Sequence, residues 1–154
     1  MTDVGHTGEA VAAKYYQQRG WLLLNHNYRT RLGELDLILY KENTLVFAEV
    51  KTRTGAMLDR PAAAVDARKQ NRLILAAQQY LQHSPYRDAA IRFDVVEVTP
   101  AARGWQVHCI PGALSVEPLL APLRGGSRRS GWGREPCGSR TLSGAMTDID
   151  PCNP

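Results

Sequence analysis

The stretch from Gly33 to Arg53 constrains the fold more than any other part of this chain. Two apolar runs, Gly33 to Lys41 and Thr44 to Arg53, flank Glu42-Asn43, a dipeptide suited to a two-residue hairpin turn. Leu35, Leu37 and Leu39 fall on one face of the first run, and Val46, Ala48 and Val50 on the matching face of the second. The opposite face is apolar near the turn, with Ile38, Tyr40, Leu45 and Phe47, and charged at the far end, with Glu34, Asp36, Glu49 and Lys51. Strands that are apolar on both faces belong inside a covered sheet. Charge on such a hairpin needs a reason, because burying it unpaired is costly.

The flanking segments supply the covering layers. Thr7 can cap a helix running to about Arg19, with Val11, Ala12, Tyr15 and Tyr16 as its apolar stripe and Gly20 as its terminator. Trp21 to Tyr28 reads as the first strand. After a loop from Thr54 to Arg60, Pro61 opens a helical region lasting to about His83, with Val65, Leu73, Ala76, Ala77, Tyr80 and Leu81 on one side. Ser84-Pro85 stops it. Ile91 to Val98 and Gly104 to Ile110 read as the last two strands. The order α-β-β-β-α-β-β joins a hairpin to a helical crossover, which predicts a mixed sheet with helices packed on it.

At 154 residues the chain suffices for one domain with a real core. We expect that domain to span residues 1–117, followed by a disordered tail at 118–154, because Gly125 to Gly133 is rich in small and basic residues and cannot offset its ordering entropy. The formal charge of +4 permits a polyanionic partner without requiring one. Cys109, Cys137 and Cys152 form no C-x-x-C pair, so they read as reduced thiols of a cytoplasmic protein rather than zinc ligands. No segment approaches a membrane span, and Met1 to Glu9 lacks the basic and apolar regions of a secretion signal.

If Glu42-Asn43 is a two-residue turn, Asp36 falls opposite Glu49, and Glu34 opposite Lys51; a turn two residues shorter or longer makes the contact diagonal on the same face, and a one-residue change breaks it. Directly opposed Cβ atoms lie roughly 4.5–5.5 Å apart. Two carboxylates that close repel unless a cation or a shared proton stands between them. Oxygen ligands suit Mg²⁺ or Mn²⁺. Lys51, two residues beyond Glu49 on the same face, can handle a water proton and steady charge on a phosphoryl oxygen. These are the parts for phosphodiester hydrolysis. The plainer alternative is that Glu-x-Lys on a strand is a solvated edge or a simple ion pair.

Gly8-Glu9-Ala10, Gly33 to Ile38, Leu45 to Arg53, Ala64 to Gln70 and Arg92 to Val96 together resemble the YraN family of bacterial proteins, from about Gly5 to Val98. That family is similar in turn to the PD-(D/E)xK nucleases, including archaeal Holliday-junction resolvases. The resemblance implies a restriction-endonuclease-like α/β fold, a mixed sheet with an αβββαβ core flanked by helices. It implies Asp36, Glu49 and the Val50 carbonyl as metal ligands, Lys51 as the catalytic lysine, and Glu9 as an additional acidic ligand. Glu34 would assist catalysis. Without the resemblance, the first reading of Glu9 is a complement to the helix dipole.

Arg68, Lys69 and Arg72 share one helix face, and Arg29, Arg31 and Arg53 flank the acidic strand ends; both sets could hold nucleic-acid phosphates or simply face solvent. Asp94 sits mid-strand and invites a basic partner. The leading expectation is a Mg²⁺- or Mn²⁺-dependent endonuclease acting on DNA, including branched or structured DNA. A lone active site on a small domain suggests a homodimer if both strands must be cut. The alternatives are a non-catalytic nucleic-acid-binding module and a protein-interaction factor.

Overall fold

A computed structural model describes residues 3–54 and 66–117. Seven elements follow the expected order: α1 Asp3–Gln18, β1 Leu22–Arg29, β2 Glu34–Lys41, β3 Thr44–Thr52, α2 Ala67–Gln82, β4 Ala90–Pro100 and β5 Trp105–Leu114. The five strands lie side by side in chain order. All neighbours are antiparallel except β3 and β4, which the α2 crossover makes parallel. This mixed α/β sheet with its two helices is the restriction-endonuclease-like arrangement expected from the sequence.

The alternation in β3 divides the core into two layers. Val46 and Ala48 pack with Leu37, Leu39 and the α1 residues Ala12 and Tyr16. Leu45 and Phe47 pack with Ile38 and the α2 residues Leu73, Ala76, Ala77 and Leu81. The hairpin is therefore covered on both faces, as its composition requires. Its turn is the expected one, with Lys41 paired to Thr44 and positive φ at both Glu42 (45°) and Asn43 (61°).

Three local expectations are corrected. Thr7 does not cap α1, which starts at Asp3, so Thr7 lies within the helix. Helix α2 starts at Ala67, not Pro61: Asp66 is its N-cap, with non-helical backbone and a side chain that accepts from Arg68 N. Leu35 does not share the face of Leu37 and Leu39 but joins the α2 layer. The cause lies in the neighbouring strand, where Asn27 takes a positive φ of 52°. That kink turns Tyr28 and its cross-strand partner Leu35 toward α2, where the Tyr28 ring meets Tyr80 edge-on at 5.3 Å. The loop up to Arg60, Pro61 itself, Val65 and the expected tail at 118–154 lie outside the described residues.

Candidate metal and phosphate site

The charged end of the hairpin is where β2 leaves β3. Their pairing runs from Lys41–Thr44 to Leu37–Ala48, in the expected register. Beyond Ala48, β3 continues against β4, from Glu49–Val95 to Thr52–Val98. The separation leaves the Val50 N–H without a β2 carbonyl, and the Asp36 carboxylate takes that place, accepting from Val50 N at 2.8 Å. Asp36 and Glu49 thus meet at a parting of two strands, rather than as the facing pair the sequence suggested. Glu49 is 4% exposed. Lys51 follows two residues on, half-buried and across from Glu97 of β4.

Two glycines let the helices close on this end. A Cβ at Gly8 would stand 1.8 Å from Thr52 Oγ1, so glycine at that position lets α1 lie against β3 without displacing the Thr52 side chain. The adjacent Glu9 is held by Asn27, whose Nδ2 donates to its Oε2 at 2.7 Å. The positive-φ Asn27 therefore both turns the strand and orients Glu9. On the other side, a Cβ at Gly33 would stand 2.3 Å from the backbone oxygen of Arg72. The β1–β2 turn, tied by Thr30 Oγ1 donating to Gly33 O at 3.0 Å, can then sit directly on α2. This brings Lys69 over the sheet, where its ammonium pairs with Glu49 Oε1.

The electrostatics follow from this crowding. Burial pushes the Asp36 carboxyl up to about 7; the nearby Glu49 and Glu9 charges add to the rise, while Val50 N–H and Lys69 oppose it. Burial lowers the Lys51 ammonium, with Lys69 and Arg53 pushing the same way against Glu49 and Glu97. Lys69 is also penalised by burial, but its hydrogen bond and charge interaction with Glu49 prevail and raise it.

The resemblance implies a divalent ion, and the residues fit one. Asp36 and Glu49 are adjacent carboxylates whose mutual repulsion lacks full compensation, and Mg²⁺ is commonly held by one or two carboxylates plus water. Among the described residues no group of three His, Cys, Asp or Glu side chains forms a ready cage, so Glu9 does not complete one as placed. Its effect on Asp36 is through charge.

The other expected residues disperse. Glu34 does not face Lys51: it sits across from Arg29, and its Oε2 lies 3.6 Å from Arg29 Nε on the exposed strand end. Arg53 turns inward to Glu97 at 2.7 Å, a mostly buried pair. Arg31 is exposed in the β1–β2 turn. Arg29, Arg68, Lys69 and Arg72 converge on a cleft of about 520 Å³ between that turn and the start of α2. Asp94 finds the basic partner the sequence invited. Arg92 donates to both its oxygens at 2.8 and 2.9 Å, Tyr16 Oη donates at 2.8 Å and Gly112 N at 3.1 Å. This is a buried strut between α1, β4 and β5. Sequence reasoning missed the Lys69–Glu49 contact and the anchoring role of Asn27; an Asn inside a strand was the available signal for the second.

No helix among the described residues is long and apolar enough to cross a membrane. The chain is similar to several proteins named only by family. It is 43% identical over 108 residues to a UPF0102 protein of Synechococcus sp. (strain JA-3-3Ab), covering 68% of this chain and 82% of that one. It is 41% identical over 95 residues to one of Caldanaerobacter subterraneus subsp. tengcongensis, covering 62% and 78%. It is 39% identical over 115 residues to one of Syntrophotalea carbinolica, covering 75% and 94%. The family profile itself matches residues 8–98, from the glycine that seats α1 on β3 to the end of the β3–β4 ladder. The chain therefore belongs to the uncharacterised protein family UPF0102, the YraN family that its motifs resemble.

Proposed function

We propose that this protein is a Mg²⁺- or Mn²⁺-dependent nuclease that hydrolyses phosphodiester bonds of nucleic acid, DNA first among its substrates. The observation that carries this reading is the parting of β2 from β3, which leaves Asp36 and Glu49 together beside Lys51 with basic side chains close by. Asp36, Glu49 and the Val50 carbonyl would hold the ion. Bound there, it would supply Lewis-acid polarisation of the phosphoryl group and a more acidic water.

The chain's own groups account for the rest. Lys51, its proton affinity reduced by burial, would take the proton of the attacking water as the P–O ester bond breaks, and the leaving oxygen would take a proton from solvent. Asn27 from β1 and Glu9 from α1 support the Asp36 side of the site. Arg29, Arg68 and Arg72 offer charge-assisted contacts for flanking phosphates.

The test is a cleavage panel of linear duplex, single-stranded, flap and four-way DNA with Mg²⁺ or Mn²⁺, beside calorimetric titration of Mn²⁺. The expected result is cutting that Asp36→Ala and Lys51→Ala abolish, with Mn²⁺ binding lost in Glu49→Ala. No cutting of any substrate, or cutting by Asp36→Ala at the wild-type rate, would refute it. One observation favours a second reading, a non-catalytic nucleic-acid-binding module: the Lys69 ammonium already pairs with one oxygen of Glu49. That reading expects salt-sensitive DNA binding without Mn²⁺ uptake.

A further inference from the structure

Lys69 belongs to two sites at once. Its ammonium pairs with the nearly buried Glu49, and its side chain lines the cleft formed with Arg29, Arg68 and Arg72. The cleft's other cations are unequally engaged. Arg29 lies 3.6 Å from Glu34, and the Asp66 side chain is turned to the backbone of Arg68. Among the described residues, Arg68 and Arg72 have no carboxylate partner. They stand one helical turn apart on the face that carries Lys69. An anion in this cleft would meet two guanidinium groups without a carboxylate partner among the described residues, and a half-exposed lysine whose hold on Glu49 is its link to the carboxylates.

We propose that Lys69 is a built-in counter-cation for Glu49, handed over to a nucleic-acid phosphate in the cleft when a divalent ion takes the carboxylate. This rests on the metal reading above and adds an order to it. Without substrate, Lys69 and the ion compete for Glu49. With a strand phosphate beside Arg68 and Arg72, the ammonium has a second anion to pair with, and the carboxylate is released. Phosphate and ion then assist each other's binding, and by linkage the assistance is equal in both directions.

The experiment is calorimetric titration of Mn²⁺ into wild type, Lys69→Gln, Lys69→Arg and Arg72→Gln, each checked for folding by thermal melting. Lys69→Gln is expected to bind Mn²⁺ about fivefold tighter than wild type, the equivalent of a surface ion pair of ~1 kcal/mol. Lys69→Arg, which keeps the competing cation, should stay near wild type. Arg72→Gln removes the same charge from the same face without touching Glu49, and should change affinity much less. If Arg72→Gln tightens binding as much as Lys69→Gln, general charge explains the effect and the proposal is overturned. In a Lys51→Ala background, a short single-stranded oligonucleotide should tighten Mn²⁺ binding, and Lys69→Gln should erase most of that gain; equal gains with and without Lys69 overturn the hand-over. If neither wild type nor Lys69→Gln takes up Mn²⁺, the metal reading itself falls and takes this proposal with it. Uptake by wild type that Lys69→Gln leaves unchanged refutes the hand-over alone.

Discussion

Replacing Asp36 by Asn isolates the electrostatic cost of the site. Burial, Glu49 and Glu9 push the Asp36 carboxyl from its ordinary 3.8 to about 7. Because the folded value is raised above the unfolded one, the stabilising form is the protonated one. Its contribution is fully present below about pH 4 and is lost as pH rises through about 7. A shift of about three units at ~1.4 kcal/mol each would amount to about 4 kcal/mol for an isolated group. Asp36 is only partly buried, and solvent screening brings the expected loss to about 2 kcal/mol, or roughly 10 °C in melting temperature for a domain of this size. Asn keeps an oxygen to accept from Val50 N and carries no charge. In metal-free buffer, Asp36→Asn should therefore be the more stable protein near pH 8, with the two melting curves converging toward pH 4. Thermal melts across that range with a chelator measure the difference. A constant gap between the proteins at all pH values would refute the argument, since it would mean that Asp36 does not titrate in the window assigned to it. Added Mn²⁺ at the upper pH should stabilise wild type and not the variant.

The two helix-seating glycines respond differently to alanine. Gly8→Ala should destabilise by about 1–3 kcal/mol, and Thr52→Ala should recover part of that, because Thr52 Oγ1 is the atom in the way; chemical denaturation of the double-mutant cycle reads the coupling. Gly33→Ala meets the Arg72 backbone oxygen, so no side-chain change at position 72 should rescue its loss of about 2 kcal/mol or more. Asp94→Ala strands the Arg92 guanidinium and the Tyr16 hydroxyl, and should cost about 3–5 kcal/mol by the same denaturation assay. It should not weaken Mn²⁺ affinity per folded molecule, since Asp94 is engaged by Arg92, Tyr16 and Gly112 and is not among the charges that act on Asp36.

What could be read from residues alone was what local rules govern. Period-two alternation gave β3 its two apolar faces, and Glu42-Asn43 gave the hairpin its turn and therefore its register. Those determined the central place of the hairpin, the parallel β4 after a helical crossover, and the end of the hairpin at which charge collects. The exceptions came from the neighbours of a strand rather than from the strand itself. Leu35 changed face because Asn27, on another strand, adopts a positive φ. Glu34 went to Arg29 because β2 stays with β1 after it has left β3.

The sequence by itself determined that Asp36, Glu49 and Lys51 would gather at one end of a covered hairpin, because alternation and turn geometry act between near neighbours. Only the tertiary structure decided what they meet there. Glu9 is brought in by the close seating of Gly8 on Thr52, and Lys69 by the seating of Gly33 on α2. Those contacts join residues far apart in the chain and depend on how closely two backbones approach, a distance that no local pattern encodes.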